Sequence, residues 1–259
     1  MKSTSTSDIV LKVENLDITY RSTLFHGRSL RDTFTEALSS PLKFLMRRPK
    51  HLELLKNISF ELKKGDRLAL VGVNGCGKTS LCRAIAGMHG TQNKIKINGE
   101  VRAIFNTNVV IQPELSGIEN ANILVNLLHS SHSKKERKDI VDESLEFSGL
   151  GEFKYSAFKY YSKGMKARLF LSIVSAKPCD LLILDEVFDG ADEFFNEKIA
   201  NRIKNTIANS SAVIFISHSS NLIKEVCNRA IILSENKIAF DGSTEEGIAL
   251  YKKMNQSES

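Results

Sequence analysis

The sequence predicts an α/β fold with a mainly parallel core sheet, an N-terminal antiparallel β subdomain and an inserted α-helical subdomain. Two continuously apolar runs, 181–184 and 212–216, are typical of strands buried inside a parallel sheet. Helical spacing prevails over about 113–176, before these two runs. The alternation at 54–62 is typical of a strand, here near the N-terminus.

The other elements follow from the same patterns. We expect residues 1–8 to form a disordered tail, 9–243 one domain, and 244–259 a C-terminal helix and tail. Further strands are predicted at 9–13 and 16–20, which Glu14-Asn15 joins, and at 67–71 and 180–186. Hairpins are predicted at 94–105, turned by Asn98-Gly99, and at 230–240. Helices are predicted at 80–87, 117–128, 134–147, 163–175, 194–208 and 221–227.

Residues 21–53 interrupt this order. Leu30, Phe34 and Leu38 recur every four residues and predict a short amphipathic helix that ends before Pro41. The stretch 41–49 is apolar with basic residues interspersed. Two interpretations are open: a helix that contacts a membrane partner or a lipid surface, or a surface helix that folds onto its own domain.

A glycine-rich loop lies between the predicted strand at 67–71 and the helix after it. Residues 72–79 read Gly-Val-Asn-Gly-Cys-Gly-Lys-Thr, which is the P-loop pattern in its strand–loop–helix context. Backbone N–H groups and a helix N-terminus would surround the phosphates of ATP, Lys78 would reach the β- and γ-phosphates, and Thr79 would offer its hydroxyl to Mg²⁺. The predicted nucleotide-binding residues here are Gly72, Asn74, Gly75, Cys76, Gly77, Lys78, Thr79 and Ser80.

A second half of this site is predicted far along the chain. The apolar run 181–184 brings Asp185 and Glu186 to the carboxyl edge of the sheet, where open α/β folds bind ligands. Asp185 would hold Mg²⁺ through water, and Glu186 would orient or polarise the attacking water. His218 follows the next apolar strand and would either reach a γ-phosphate or be structural. Tyr20 ends a strand and would either stack on adenine or be buried.

The segment 160–169 opens a helix with Ser162, Gly164 and Met165. A serine hydroxyl, a glycine backbone and a helix N-terminus together make an anion site. Over about residues 9–243, the chain resembles the nucleotide-binding domain of an ABC transporter. The resemblance rests on this segment, the glycine loop, the Leu-Asp-Glu strand end and the histidine that follows.

The resemblance implies a head-to-tail homodimer, in which Ser162, Gly164 and Met165 of one subunit cap the ATP bound to the other. It also places Asp192 at the aspartate of the loop that follows the acidic strand. The cofactor implied is Mg²⁺, with ATP as the substrate. The further partner implied is a membrane permease, and the location is cytoplasmic, peripheral on the inner face of the cell membrane.

A finer resemblance is to the ATP-binding subunits of polysaccharide exporters. It rests on the Ser-x-Gly-Met segment, on Pro-Glu-Leu-Ser-Gly-Ile-Glu-Asn at 113–120 and on the basic insert at 21–53. It implies export of a lipid-linked O-antigen, capsule or teichoic acid. Lys163 departs from the small residue usual in the signature and would either strengthen nucleotide binding or crowd the dimer. Gln112 is the candidate glutamine of the family's Q-loop, with Asn106 or Thr107 as alternatives.

Composition limits the other function classes. The net charge of +6 over 259 residues suits an anionic ligand or surface but is too diffuse to indicate nucleic acid, so no nucleic-acid partner is expected. The four cysteines lack CxxC spacing and are expected to be reduced thiols. No apolar stretch reaches the length of about 18 residues that a membrane span requires. The alternatives are an ABC-type ATPase for another transported substrate, or a non-transport ABC ATPase that acts on nucleic acid.

Overall fold

A computed structural model describes residues 8–21, 51–90, 92–105, 111–186 and 197–257. Several features of the sequence analysis lie outside the described residues: the helix predicted from Leu30, the stretch 41–49, Asn106, Thr107 and Asp192. The strands are β1 (Ile9–Arg21), β2 (His51–Lys63), β3 (Arg67–Val71), β4 (Ile95–Ile97), β5 (Val101–Ile104), β6 (Leu181–Asp185), β7 (Ala212–Ile216), β8 (Arg229–Ser234) and β9 (Lys237–Ser243). The α-helices are α1 (Lys78–Ile85), α2 (Gly117–Leu128), α3 (Lys134–Phe147), α4 (Lys163–Val174), α5 (Glu197–Asn209), α6 (Ser220–Val226) and α7 (Thr244–Ser257).

The core is a six-stranded sheet in the order β5-β6-β7-β3-β8-β9. Its neighbouring strands run parallel except β9, which is antiparallel to β8. Since parallel strands share a carboxyl edge, the ends of β3, β6 and β7 lie together, and the predicted site residues follow these three strands. The predicted fold class, with its parallel core, antiparallel sheet and helical insert, is confirmed.

A second, antiparallel sheet has the order β2-β1-β4. The prediction of two strands at 9–13 and 16–20 is wrong, because β1 is one continuous strand. Shifts in its register with β2 occur around residues 13–18, and Asn15 there has a left-handed backbone with φ 49°. The chain therefore absorbs Glu14-Asn15 as an irregularity within the strand rather than as a turn.

The predicted hairpin at 94–105 is also wrong. β4 pairs with β1 in the antiparallel sheet, whereas β5 pairs in parallel with β6 in the core sheet. The Asn98 backbone and side-chain N–H groups donate to carbonyls of β1, so the Asn-Gly step fastens the chain to one sheet before it crosses to the other. Gly99 has φ 113°, and a Cβ on it would collide with the Asp180 carboxylate. A glycine is needed here for a change of sheet and not for a hairpin turn.

Alternate residues of the core strands enter two separate hydrophobic cores, one on each face. Leu68 and Leu70 of β3 pack with α1 and the antiparallel sheet, whereas Ala69 and Val71 pack with the helices α2, α3 and α4. The helices α2 and α3 begin with capping boxes, in which Ser116 pairs with Glu119 and Ser133 with Glu136. Because α1 packs in one of these cores and α4 in the other, the two helices lie on opposite faces of the core sheet.

His129 follows α2 and is fully buried beneath the helical layer. Burial, assisted by the Arg102 cation, lowers its pKa from 6.5 to about 4. The imidazole is therefore neutral in the folded chain but protonated in the unfolded chain between those two values, so stability falls as the pH falls through this window. The other titratable groups that act on it are His132 and Glu100.

We expect the free energy of unfolding to drop by about 2 kcal/mol between pH 7 and pH 5 from this group alone. Urea unfolding of wild type and His129→Gln at the two pH values measures the difference. The variant should lose that part of the pH dependence, and a His89→Gln control should retain it. An identical pH dependence in wild type and His129→Gln would contradict the assignment.

Candidate functional site

The glycine-rich loop leaves β3 and ends in the first turn of α1. Gly77 is the residue before α1 and has φ 102°, a left-handed conformation that favours glycine. A Cβ on Gly77 would approach the Leu55 side chain to 3.0 Å, and one on Gly72 would lie 2.6 Å from the Leu233 carbonyl oxygen. Asn74 and Gly75 form the exposed tip of the loop, Cys76 is half-buried, and Thr79 and Ser80 are half-buried in the first turn of α1.

The Lys78 side chain folds back onto the backbone of the loop. Its side chain is only 8% exposed, and its Nζ donates to the carbonyl oxygens of Gly72, at 2.7 Å, and Val73, at 3.1 Å. The ammonium is thus held over the cradle formed by the loop and the N-terminus of α1. An anion bound there would meet a buried cation and a helix N-terminus at once.

Asp185 ends β6 beside this loop and is buried. Burial raises the pKa of its carboxyl above the usual value, against the opposing effects of a hydrogen bond from Thr79 and the nearby Lys78 charge. Its Oδ1 is buried and has no hydrogen-bond partner within the described residues. A buried carboxylate oxygen without a partner, next to a threonine hydroxyl, has the chemistry of a site for a hard divalent cation such as Mg²⁺.

No group of three or more His, Cys, Asp or Glu side chains able to hold a metal occurs in the described part of the chain. Mg²⁺ in nucleotide sites does not require such a group. It keeps several waters there and takes one or two carboxylates plus the substrate's phosphates. The pair Thr79 and Asp185 therefore fits Mg²⁺ that arrives with a nucleotide.

Glu186 and His218 are brought together at the same edge. The Glu186 N–H donates to the Ile216 carbonyl at 3.0 Å, which joins the ends of β6 and β7. His218 follows Ile216 by two residues, and its Nε2 lies 3.2 Å from Glu186 Oε1. Glu186 has φ 53°, an uncommon backbone conformation for a residue with a side chain. Both side chains are exposed.

The Ser162 segment lies elsewhere. Ser162 is exposed at the N-cap of α4, and its Oγ accepts a hydrogen bond from the Met165 N–H at 3.2 Å. Gly164 is buried and Met165 is half-buried against the helical core. Because α4 and α1 pack on opposite faces of the sheet, the structure does not bring this segment to the P-loop of the same chain.

Two further predicted site residues are Tyr20 and Gln112. Tyr20 is 38% exposed, and its hydroxyl lies 3.3 Å from Nε2 of His89, which follows α1. Gln112 is exposed, and its backbone is held by Asn120, whose side chain accepts from the Gln112 N–H and donates to the Gln112 carbonyl. The stacking of Tyr20 on adenine and the Q-loop role of Gln112 stay predictions.

Sequence reasoning missed the importance of Asn120. It is fully buried, and its Nδ2 also lies within hydrogen-bond distance of the carbonyl oxygens of Leu115 and Ser116. One amide therefore fixes the segment 112–116, which leads into α2. The only sequence signal is an asparagine at the end of the Pro-Glu-Leu-Ser-Gly-Ile-Glu-Asn stretch, where a helix interior disfavours it.

The fold and the loop define a class: this is a P-loop nucleoside triphosphatase. The family model described as ABC transporter matches residues 55–189, which is just over half of the chain. The chain belongs to the ABC transporter family, in which it is the ATP-hydrolysing component. No helix within the described ranges has the length and apolarity needed to cross a membrane.

Its relatives include two O-antigen export system ATP-binding proteins. RfbE of Yersinia enterocolitica is 38% identical, with 71% of this chain and 77% of that protein covered. RfbB of Klebsiella pneumoniae is 32% identical, with 83% and 91% covered. The teichoic acids export ATP-binding protein TagH of Lactococcus lactis is 32% identical over 97% of this chain, which spans 52% of that protein.

Solved structures support the fold. A dimeric ATP-binding cassette in a post-hydrolysis state, bound to ADP and Pi, matches with a TM-score of 0.65 at 18% identity, over 90% of this chain and 98% of its own. An ATP-binding subunit of an ABC transporter matches with a TM-score of 0.66 at 20% identity, over 94% and 93%.

Proposed function

We propose that this chain is the ATP-hydrolysing subunit of a transporter that exports a lipid-linked polysaccharide across the cytoplasmic membrane. The observation that carries the ATPase chemistry is the cluster at one sheet edge: Lys78 in the loop, Asp185 beside Thr79, and Glu186 against His218. The polysaccharide part rests on the names of the relatives, which export O-antigen or teichoic acids.

The roles of these residues follow from their positions. Lys78 exchanges its two loop carbonyls for the β- and γ-phosphates of ATP, which offer stronger, charged acceptors. Glu186 orients and polarises the water that attacks the γ-phosphate, and His218 holds the Glu186 carboxylate and contacts the same phosphate. Thr79 and Asp185 would hold Mg²⁺, which would neutralise charge on the phosphate oxygens.

Two subunits complete the site. Ser162 stands exposed at a helix N-terminus on the face of the sheet opposite to α1, so it suits an ATP held by a second copy. In a head-to-tail dimer, Ser162, Gly164 and Met165 of each subunit cap the nucleotide of the other. A membrane permease binds this dimer at the inner face of the membrane and carries the glycan.

The export role is tested in the organism that encodes the chain. We expect Glu186→Gln to leave the cell surface without its polysaccharide while lipid-linked glycan accumulates inside, because ATP binds but is turned over too slowly. Fractionation of envelope and cytoplasm followed by glycan analysis measures this. Glu225→Gln, a surface carboxylate paired with Lys204, is the matched control and should leave export intact.

One outcome would refute the polysaccharide assignment while preserving the ATPase. In that case the surface glycan is unchanged although the Glu186→Gln protein is present and retains bound ATP. The search would then turn to another transported substrate, or to nucleic acid, for which a salt-dependent shift in DNA mobility is the direct assay.

A further inference from the structure

A buried arginine links the core sheet to the helical layer. Arg102 lies in β5 and is only 1% exposed. Its Nε donates to the Leu128 carbonyl at 2.9 Å, its Nη1 to the Lys177 carbonyl, and its Nη2 to Glu100 Oε1 at 2.9 Å. Every arm of the guanidinium is therefore engaged, and one of its partners is a carboxylate that balances the buried charge.

One of the two carbonyls belongs to a helix end, and the other to the segment just after a helix. Leu128 is the last residue of α2, and Lys177 follows the end of α4 by three residues. Helix C-terminal ends carry carbonyls without intrahelical partners and a partial negative charge, which a cation stabilises. Arg102 thus holds the C-terminal end of α2 and the segment that follows α4 against one strand of the core sheet.

Neighbouring groups reinforce the same junction. Glu100 Oε2 accepts a hydrogen bond from Ser131 Oγ at 2.8 Å, and Ser131 lies in the turn after α2. His129 in that turn donates through Nε2 to the carbonyl of Ile173 in α4, at 2.9 Å. The end of α2, the end of α4 and the start of β5 therefore form one hydrogen-bonded unit.

This unit lies between two parts of the candidate site. Arg102 is in register with Leu182 of β6, the strand that carries Asp185. The helix α4 has 12 residues and is about 18 Å long at the usual rise. Its C-terminal end belongs to this unit, and Ser162 caps its N-terminus. A displacement of the C-terminal end of α4 therefore also displaces Ser162.

We propose that Arg102 is a positioning residue that sets the orientation of α4 relative to the core sheet, and with it the fit of Ser162 and Gly164 onto the ATP of the second subunit. This inference rests on the proposed dimeric ATPase. The inference predicts different effects on two properties, which a simple loss of stability would change together. ATP binding to the P-loop of one subunit should not need Arg102, whereas closure of the composite site should.

Arg229 provides a matched control. It lies in β8 of the same sheet, is likewise an arginine within a hydrogen-bonded ion-pair network, and its partners are Asp241, Asp66 and the Glu61 carbonyl. These partners belong to β9, to β2 and to the turn after β2, not to the helical layer. Arg229→Met therefore removes a comparable network without touching α2 or α4.

The experiment uses the full chain carrying Glu186→Gln as the parent. Light scattering gives the protein concentration at which Mg²⁺-ATP drives dimer formation, and calorimetry well below that concentration gives the ATP affinity of the single subunit. We expect Arg102→Met to keep the parent's single-subunit affinity while raising the concentration for dimer formation about tenfold, the size of a typical coupling between sites. Arg229→Met should match the parent in both measurements.

Each other outcome counts against the inference. Dimer formation by Arg102→Met at the parent's concentration would overturn it, and so would an equal loss in Arg229→Met, which would indicate a general effect of stability. If Arg102→Met does not fold, Arg102→Lys keeps the cation but cannot bond the Leu128 and Lys177 carbonyls and Glu100 together, and unchanged dimer formation by that variant would overturn the inference. A parent that does not dimerise with ATP would instead refute the proposed dimer itself.

Discussion

Glu186→Gln should reduce ATP hydrolysis by about 10²–10⁴-fold, the range that general acid–base catalysis by a positioned side chain supplies. The substitution keeps the size and a hydrogen-bond acceptor for His218, which lies 3.2 Å from Glu186 Oε1, but it removes the negative charge that polarises water. ATP binding should be unaffected, because Lys78, Thr79 and Asp185 remain. The expected product is a subunit that stays dimeric with unhydrolysed ATP.

Phosphate release under single-turnover conditions measures the chemical step, and light scattering measures the dimer. Glu225→Gln, which alters a carboxylate of the exposed pair with Lys204, should hydrolyse ATP at the wild-type rate. If Glu186→Gln turned over as fast as the control, Glu186 would not act on the attacking water, and His218 would become the next candidate for that role.

The parts of the molecule that the sequence predicts well are those whose signal is local. The P-loop is recognisable because its glycines, lysine and threonine lie within eight consecutive residues between a strand and a helix. The carboxylates of β6 and the histidine after β7 follow apolar strands, and parallel strands necessarily share an edge. Their mutual approach therefore follows from topology, although the pairing of Glu186 with His218 needs the actual turn geometry.

What the sequence did not predict depends on distant partners. The Asn98-Gly99 step has the local signal of a hairpin, but β1 and β6 compete for its two flanking strands and separate them into different sheets. Arg102 looks like an exposed strand residue in the alternating pattern. Besides the nearby Glu100 carboxylate, its burial is compensated by the Leu128 and Lys177 carbonyls, which are 26 and 75 residues away along the chain.

Lys78→Ala should have the second large effect, on ATP binding itself. The Lys78 ammonium is buried and already bonded to the Gly72 and Val73 carbonyls, so little side-chain entropy is lost when phosphates replace those acceptors. Hydrogen bonds to charged groups are worth about 1.5–3 kcal/mol each, so the loss of even one should weaken ATP binding by at least about tenfold, and the loss of two by about a hundredfold or more. Hydrolysis should fall below detection with it.

Calorimetric titration with Mg²⁺-ATP measures this affinity, and Lys64→Ala in the exposed turn before β3 is the control for loss of a positive charge. The loop carbonyls that lose their donor in Lys78→Ala also loosen the loop, which would weaken every nucleotide alike. Comparison with AMP separates the two effects, because AMP has no β- or γ-phosphate for Lys78 to bind. A loss confined to ATP and ADP supports direct phosphate contact, whereas an equal loss for AMP would reduce the role of Lys78 to shaping the loop.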